Sequence, residues 1–404
     1  MNGRPAPASG APGRIPAEVW VLVAAAFVIA LGYGLVAPVL PAFARSFDVS
    51  IAAATMVVSA FALMRLAFAP ATAPLLRRLG ERPVYLSGLL IVAVSTFACA
   101  FAQSYWQLLV LRALGGVGSV MFTVSAMSLL IRICPPAIRG RVSGIYSSSF
   151  VLGNIVGPLV GGGLVGLGLR VPFVVYALAL VIATAVVWVS LRNSTLAAEA
   201  LGEQTGPSVR TALSDGAYRA LLATALVFGW IFAMRVSLLP LFFTDVLGQS
   251  ASMAGFALAA YAAGDVLVMI PAGRASDTYG RRPFLIAGMI VLAAATAALP
   301  LTESVLVALL LTAVAGMGTG LVAPVIQATV ADVLYGGRGG SALSTYQMSQ
   351  DSGVIAGPVI AGFVADRLGF GPAFLLTAAL AAAIGVAWLF VRETRGRAPA
   401  DDSP

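Results

Sequence analysis

Charged residues lie inside several long apolar stretches, where an ionised side chain is costly and therefore marks a candidate functional site. Arg65 stands in "FALMRLAFAP" (61–70), Asp265 follows it by 200 residues, and Asp351 lies in a later apolar stretch. The chain contains no histidine, so a buried carboxyl group is the best available proton carrier. The other fourteen of the sixteen acidic residues fall in predicted loops, tails or span ends. Asp265 and Asp351 are therefore the candidate proton carriers.

An arginine near such an aspartate could control its proton. Burial disfavours an ionised carboxylate and a neighbouring guanidinium favours it, so moving Arg65 relative to an aspartate would load or release a proton. A second interpretation is a static ion pair that fixes helix register. Such pairs often add little stability, because desolvation offsets much of the attraction.

The composition excludes a water-soluble protein. The 404 residues are 60% hydrophobic and 10% charged, with a mean hydropathy of +0.97, which is typical of a chain that crosses a membrane many times. All 24 basic residues are arginine and most fall in short connecting loops. The net charge of +8 therefore reports membrane topology, and we expect no nucleic-acid partner. Two cysteines, Cys99 and Cys134, are too few for a disulfide framework.

Apolar segments long enough to cross a bilayer as helices follow one another along the chain. We predict an all-α polytopic membrane protein with twelve spans near 17–41, 51–72, 84–102, 106–131, 142–166, 171–191, 218–243, 252–272, 284–300, 304–331, 343–365 and 372–391. They form an N-terminal six-helix bundle (17–191) and a C-terminal one (218–391), joined by a cytoplasmic loop (192–217). Polar tails occupy 1–16 and 392–404.

Arginine placement predicts the orientation of the spans. With both termini in the cytoplasm, three arginines face outward and three lie within spans, which leaves 18 of the 24 on the cytoplasmic side. The outward-facing arginines are Arg45, Arg170 and Arg367. The arginines within spans are Arg65, Arg112 and Arg235. Cytoplasmic loops carry such an excess of basic residues. We therefore expect a multi-pass protein of the bacterial inner membrane with both termini cytoplasmic.

The two halves repeat at an offset of 200 residues. The segment "GNIVGP" (153–158) matches "GVIAGP" (353–358), and "LRALGGVGS" (111–119) matches "LTAVAGMGT" (311–319). Six spans separate the copies, so both halves insert with the same orientation, as a parallel repeat about a pseudo-twofold axis along the membrane normal. In such proteins the substrate site lies between the halves near the midplane.

Three motifs carry a family resemblance: "GRASDTYGRRP" (273–283), "LRALGGVG" (111–118) and "GNIVGPLVGGG" (153–163). Over about residues 17–393 the chain resembles the major facilitator superfamily and, within it, the twelve-helix drug–proton antiporters, which export multiple drugs. The resemblance implies the major facilitator fold and transport by alternating access. The glycine–proline pattern in the fifth span is typical of the exporting antiporters of that family.

Small residues in the fifth and eleventh spans predict close helix packing. They let a neighbouring helix approach, and proline bends a helix by removing a backbone hydrogen bond. Two compatible interpretations are tight packing alone and a seam at which the halves rock. The residues concerned are Gly153, Gly157, Pro158, Gly161, Gly162, Gly353, Gly357 and Pro358.

The loop after the eighth span resembles the family's cytoplasmic latch, in which a carboxylate caps a helix of the other half. The resemblance gives that role to Asp277, with its partner at the start of the fifth span near Arg139 and Arg141. The other latch residues are Gly273, Gly280, Arg281 and Arg282. The first half departs from the pattern, because Ala73 replaces the glycine and Arg77 the aspartate.

The resemblance also suggests partners for the charged side chains. In this fold the second span packs beside the eleventh, so Arg65 has Asp351 as a neighbour and Asp265 as an alternative partner across the cavity. Arg112 matches the arginine that the family's antiporters place near their proton path. The alternative is that Arg112 snorkels toward the outer surface.

Nine further residues are candidate contacts in the substrate cavity: Tyr33, Asn154, Phe232, Arg235, Tyr261, Gln327, Tyr346, Gln347 and Gln350. Three intramembrane arginines against two aspartates favour neutral, zwitterionic or anionic substrates over permanent cations. Aromatic residues within spans more often pack or face lipid, which is the alternative for each of those named.

We expect a secondary transporter that exports small hydrophobic or amphipathic compounds, coupled to proton influx. The alternatives are a dedicated exporter of a sugar, siderophore or self-made antibiotic, and a nutrient symporter. The sequence shows no metal-ligand cluster, nucleophile–base set or P-loop, so we expect no enzyme and no cofactor besides the proton gradient. The expected partners are a small-molecule substrate and the lipid bilayer, and the expected state is a monomer.

Overall fold

Long apolar helices make up most of the chain. A computed structural model describes residues 15–134, 139–192, 212–333 and 341–395, so most of both predicted tails and of the central loop lies outside the described residues. Thirteen α-helices occur in the described ranges: α1 Ala17–Val36, α2 Leu40–Arg45, α3 Ile51–Leu79, α4 Glu81–Ala100, α5 Tyr105–Ile133, α6 Arg139–Val165, α7 Val171–Leu191, α8 Gly216–Leu241, α9 Ala251–Tyr279, α10 Arg282–Ala298, α11 Val305–Val333, α12 Ser341–Leu368 and α13 Phe370–Leu389.

The predicted spans correspond to these helices with one division. The first span breaks at a turn over residues 37–39 into α1 and the short α2. The second span is therefore α3, the third span is α4, and so on to the twelfth span, which is α13. Eleven of the described helices are long and apolar enough to cross a membrane. The long helix α12, with 28 residues, is not among them, because its first half reads "STYQMSQDS" (344–352).

Helix boundaries repeat between the halves for local reasons. Ser50 and Ser250 begin α3 and α9 by accepting a hydrogen bond from the backbone N–H three residues later, at 3.2 and 3.3 Å. Such side-chain caps satisfy the first unpaired N–H groups of a helix. Gly80 and Gly280 end the same two helices at φ values of 82° and 98°, which glycine adopts without steric cost.

The helices form two bundles that meet mainly along two helix pairs. One buried cluster lies mainly among α1 to α7 and a second among α8 to α13. Between the bundles, α3 lies along α12 and α6 lies along α9. The second and eleventh spans are therefore neighbours, as the family resemblance implies.

The glycines of α6 serve mainly to pack α6 against α1 within the first half. A Cβ added at Gly153 would lie 2.7 Å from the backbone of α1, and one at Gly157 or Gly161 would lie 2.5 Å from it. Gly162 faces the other half instead, where a Cβ would lie 3.0 Å from the carbonyl oxygen of Ser252. The predicted seam between the halves is thus confined to the Gly162 end of the motif.

The second-half motif behaves in the same way. A Cβ at Gly353 or Gly357 would meet the backbone of α8, with Trp230 as a contact of both. Pro158 lies beside Gly34 of α1, and the carbonyl oxygen of Pro358 accepts a hydrogen bond across the halves from Thr55 Oγ1 at 2.7 Å. These motifs therefore allow close packing; rocking at the seam stays a prediction.

One end of the bundle, which we call the closed end, is where the halves touch. Ser59 Oγ of α3 donates to the carbonyl oxygen of Ile355 at 2.8 Å. The Asp366 carboxylate accepts from the backbone N–H groups of Ile51 and Ala52 at 2.8 and 2.9 Å, which caps α3 from the other half. Arg45 and Asp245, equivalent positions in the repeat, form an ion pair at 3.4 Å.

The opposite end, which we call the open end, carries polar contacts that stay within one half. Arg82 donates to the carbonyl oxygens of Trp188 and Arg192, both at 3.1 Å. Its repeat equivalent Arg282 donates to the carbonyl oxygen of Trp388 at 3.0 Å and to that of Leu389. Each bond ties the start of one helix to the end of another in the same bundle.

Glu393 strengthens this arrangement in the second half. Its carboxylate accepts from the backbone N–H groups of Arg281 at 2.8 Å and Arg282 at 3.1 Å, at the start of α10. It also accepts from the N–H groups of Thr394 and Arg395. Partial burial raises the pKa of Glu393, but these four bonds to the charged form outweigh that effect and hold the pKa below its ordinary value.

Candidate functional site

A cavity with two lobes lies between the bundles. The first lobe has a volume of about 290 Å³ and the second about 210 Å³. Tyr33, Asn154 and Phe232 line both lobes, so the two lobes adjoin each other. The rings of Tyr33 of α1 and Phe232 of α8 stack with centroids 6.2 Å apart. The site therefore lies between the halves, where the parallel repeat predicts it.

The first lobe carries two arginines and one aspartate. Arg65 comes from α3, Arg112 from α5 and Asp351 from α12. The Arg65 charge acts on the Asp351 carboxyl group, although no ion pair within 4 Å joins them. With the aspartate ionised, the side chains of this lobe have a net charge of +1. A surplus cation in an enclosed site favours an anionic ligand.

The second lobe carries one arginine and one aspartate. Arg235 of α8 acts electrostatically on Asp265 of α9, and both line the lobe. The Arg235 guanidinium lies 5.0 Å from the centroid of the Phe232 ring and 4.7 Å from that of Tyr261. Cation–π contacts of this kind hold a cation in place without neutralising it. This lobe is electrically balanced when Asp265 is ionised.

The structure brings Arg65 together with Asp351 and not with Asp265. Arg65 and Asp265 are equivalent in the repeat, and they line different lobes. The reason is geometric: α3 lies along α12, which brings Arg65 and Asp351 to the same lobe. Asp265 shares its own lobe with Asn154 and Arg235.

Arg112 points into the cavity wall instead of toward the outer surface. It is 5% exposed, and its guanidinium lies 4.4 Å from the centroid of the Phe61 ring. Its Nε atom is buried and has no hydrogen-bond partner among the described residues. Snorkelling therefore does not describe this side chain.

Several buried polar atoms of the site lack protein partners. Besides Arg112 Nε, they include Arg65 Nε in the first lobe and Asp265 Oδ1 in the second. Buried polar groups are normally hydrogen-bonded, because an unpaired one costs free energy. These three atoms belong to residues that line the cavity, and each has hydrogen-bonding capacity that the described part of the chain does not use.

Most of the predicted cavity residues line this cavity. Tyr33, Asn154 and Phe232 line both lobes, Gln350 lines the first, and Arg235 and Tyr261 line the second. Gln327 and Tyr346 line a separate cavity of about 200 Å³, which Gln350 also borders. Gln347 is exposed and lines none of these cavities.

Sequence reasoning missed much of the cavity lining. The residues missed include aromatic and small polar side chains of α3, α5, α6, α7 and α11: Phe61, Phe122, Phe150, Tyr176, Ser119, Thr123 and Thr319. One signal was available for Tyr176, because Gly32 of α1 leaves the space that the Tyr176 ring fills. The others look like ordinary membrane-facing or packed residues in the sequence.

The predicted latch residues lie at the open end. Asp277 is exposed and forms an ion pair with Arg281 of its own half, and Arg281 also binds Asp332 at 3.2 Å. Gly273 lies on α9, near Pro324. The side chains of Arg139 and Arg141 lie outside the described residues. A contact of Asp277 with the other half therefore stays a prediction.

A resident metal ion finds no ligand set in this region. Among the residues that the structure describes, no three histidine, cysteine, aspartate or glutamate side chains come together as metal ligands would. The described cavity residues therefore offer a ligand arginine, aspartate and aromatic side chains as contacts.

The comparisons with known proteins agree with this architecture. A family model described as Major Facilitator Superfamily matches residues 22–251 and 236–404. The chain is 30% identical over 156 residues to the quinolone resistance protein NorA of Staphylococcus aureus, a match that spans 39% of this chain and 40% of that protein. It is 29% identical over 304 residues to the tetracycline resistance protein, class B, of Escherichia coli, spanning 72% of this chain and 75% of that protein.

Solved structures share the fold over nearly the whole length. A bacterial homologue of the human lysosomal transporter Spinster, inward-facing and unoccupied, superposes with a TM-score of 0.81 at 18% identity, covering 97% of this chain and all of that one. The inward-facing, occupied form of such a homologue gives a TM-score of 0.75 at 16% identity, covering 92% and 95%. At these identities the likeness establishes the fold alone.

Proposed function

Because the chain belongs to the major facilitator superfamily, we propose that it exports small hydrophobic or amphipathic compounds across the bacterial inner membrane by alternating access, driven by proton influx. The observation that carries the proposal is the central cavity, in which both intramembrane aspartates, Asp265 and Asp351, lie beside arginines. The relatives named for quinolone and tetracycline resistance support an exported, drug-like substrate.

The arrangement of ends supports alternating access. The halves touch at the closed end, which also holds the three arginines expected outside, whereas described arginines such as Arg77, Arg82 and Arg282 lie toward the open end. On this proposal the open end and both termini face the cytoplasm, and the substrate enters from there. The protein works as a monomer with the proton gradient as its energy source.

The proton cycle uses charge competition in each lobe. When Asp351 is ionised, it attracts Arg65 across the line where α3 and α12 meet. When it is protonated, that attraction is lost and the closed-end contacts of α3 are easier to break. Asp265 and Arg235 offer the same exchange in the second lobe.

Purified protein in proteoliposomes tests this proposal. With a fluorescent quinolone as substrate and an imposed pH gradient, we expect Asp265→Asn or Asp351→Asn to lower gradient-driven export by about tenfold or more, since a proton-transfer group contributes on the order of 10²-fold or more where it is essential. Substrate exchange without a gradient should persist in Asp351→Asn, because the cavity remains.

A loop acid provides the matched control. Glu303 lies between the ninth and tenth spans and is exposed, so Glu303→Gln should export at the wild-type rate. Full gradient-driven export by both aspartate variants would exclude these residues as proton carriers. Export by the wild type that ignores a protonophore would exclude proton coupling altogether.

A further inference from the structure

The two lobes differ in the charge that they leave uncompensated, which bears on the substrate. In the first lobe, Arg112 is buried, with an exposed fraction of 5%. Its guanidinium carbon lies 4.4 Å from the centroid of the Phe61 ring, and no hydrogen bond to a described residue occupies its N–H groups. An arginine edge of this kind matches the two oxygens of a carboxylate.

The surroundings of Arg112 increase this preference. Arg65 adds a second positive charge to the same lobe, while Asp351 supplies a single negative one. The phenol groups of Tyr33 and Tyr176 lie within electrostatic range of Arg112 and could donate further hydrogen bonds to an anion. A buried cation without a counter-ion is costly, and a ligand carboxylate would remove that cost.

In the second lobe the uncompensated group is acidic. Asp265 Oδ1 is buried without a hydrogen-bond partner among the described residues. Arg235 acts on Asp265, but its guanidinium is held against the Phe232 and Tyr261 rings and forms no ion pair within 4 Å of the carboxylate. A positively charged N–H group of a ligand would therefore supply the hydrogen bond and the counter-charge that the Asp265 carboxylate lacks.

We propose that the transported substrate is amphoteric, with a carboxylate bound by Arg112 in the first lobe and a protonated amine bound by Asp265 in the second. The shared residues Tyr33, Asn154 and Phe232 then lie along the middle of the bound molecule, and the aromatic rings contact its apolar part. This inference rests on the proposed function, because it assumes that the cavity is the transport site.

The assignment explains how export and proton entry exclude each other. A protonated amine and a proton both neutralise the Asp265 carboxylate, so one displaces the other. A carboxylate at Arg112 alone would instead raise the proton affinity of nearby acids and favour cotransport. The amine is thus the group that makes the exchange an antiport.

Equilibrium binding to the full chain in lipid nanodiscs tests the inference separately from transport. The probe is a piperazinyl-quinolone carboxylic acid, compared with its methyl ester, which lacks the anion, and its N-acetyl derivative, which lacks the cation. The wild type should bind the parent compound about tenfold or more tightly than either derivative, since a hydrogen bond to a charged group is worth roughly 1.5–3 kcal/mol.

Two variants should each remove one preference. In Arg112→Gln the ratio of acid to ester affinity should fall to about one while the ratio of amine to N-acetyl affinity stays above about five. In Asp265→Asn the amine ratio should fall to about one and the acid ratio should persist. Arg112→Lys, which keeps the charge but loses the planar edge, should give an intermediate acid ratio.

Arg367→Gln is the matched control, because Arg367 also lies on a phenylalanine ring, at 5.3 Å from the Phe363 centroid, but outside the cavity. It should keep both wild-type ratios. Equal loss of both ratios in either variant, or no preference in the wild type, would overturn the inference. If both affinity ratios are as expected but export does not depend on the pH gradient, the proposed function is contradicted. The assignment of Arg112 to the carboxylate and Asp265 to the amine would then still hold.

Discussion

The two ends of the bundle are held together by different kinds of contact. At the closed end, bonds join opposite halves: Thr55 and Ser59 of α3 donate to carbonyl oxygens of α12, and Asp366 caps α3. At the open end, Arg82 and Arg282 tie helices of the same half. The closed-end bonds are therefore the ones that must break when the halves move, and the open-end bonds keep each half intact while they do.

The repeat adds a second difference, in the sign of the charges. Positions 77 and 81 hold arginine and glutamate in the first half, and positions 277 and 281 hold aspartate and arginine in the second. Glu81 accepts a hydrogen bond from Ser128 at 2.9 Å, whereas Arg281 binds Asp277 and Asp332. Position 81 and its equivalent, position 281, therefore hold side chains of opposite charge, and the residues that contact them differ accordingly.

The largest effect on this comparison should come from adding bulk at the closed end. A Cβ at Gly255 would lie 2.7 Å from Gly162 Cα and 2.9 Å from the Pro158 carbonyl oxygen, both in the other half. Overpacking costs about 1–3 kcal/mol, so Gly255→Leu should shift the equilibrium away from the closed state by about five- to hundredfold. Disulfide cross-linking of Arg45→Cys with Asp245→Cys should fall accordingly.

Gly163→Leu is the control for that experiment. Gly163 lies on α6 next to Gly162, but an added Cβ there would meet nothing within 4 Å, so cross-linking should match the wild type. The native cysteines, Cys99 and Cys134, are buried and should not compete. Unchanged cross-linking in Gly255→Leu would mean that α6 and α9 do not form the closing contact.

A moderate effect should follow from removing the cap between the halves. Asp366→Ala leaves the N–H groups of Ile51 and Ala52 without their acceptor, and a helix cap is worth about 1 kcal/mol. Hydrogen exchange of the peptide covering residues 50–54 should accelerate about fivefold. The neighbouring exposed variant Arg367→Gln should exchange as the wild type does. Equal protection in both variants would show that Asp366 does not hold α3.

The smallest effect should appear at the open end and depend on pH. The fold holds the pKa of Glu393 below its ordinary value, so its stabilising effect is complete above the unfolded-state pKa of about 4.3 and is lost as the pH falls through the folded-state value. Glu393→Gln should therefore lower the melting temperature slightly at pH 7, and the difference should shrink below about pH 4. A difference that does not change with pH would exclude the charged cap.

Helix depth could be predicted from the sequence, whereas helix rotation could not. Apolar length places Arg65 and Asp265 within the membrane, and the repeat places them at equivalent positions. Whether they face each other depends on how α3 and α9 turn about their own axes, which packing against α12 and α6 decides. For that reason the sequence alone does not decide whether Arg65 pairs with Asp351 or with Asp265.

The glycine motif shows the same limit. Small residues at regular spacing predict a close helix neighbour, but the spacing does not name it. Gly153, Gly157 and Gly161 meet α1 of their own half, and Gly162 meets α9 of the other. A step of one residue, a rotation of about 100° around the helix axis, thus separates a packing surface from a contact between the halves.

By itself, the sequence determined the spans, their duplication and the charged residues buried among them, because a bilayer forces apolar stretches into helices that satisfy their own backbone hydrogen bonds. Only the tertiary structure decided which acid lies beside which arginine, how the cavity divides into lobes, and which end is closed. Those features depend on contacts between residues hundreds of positions apart, such as Thr55 with Pro358, and on side-chain directions that local sequence does not fix.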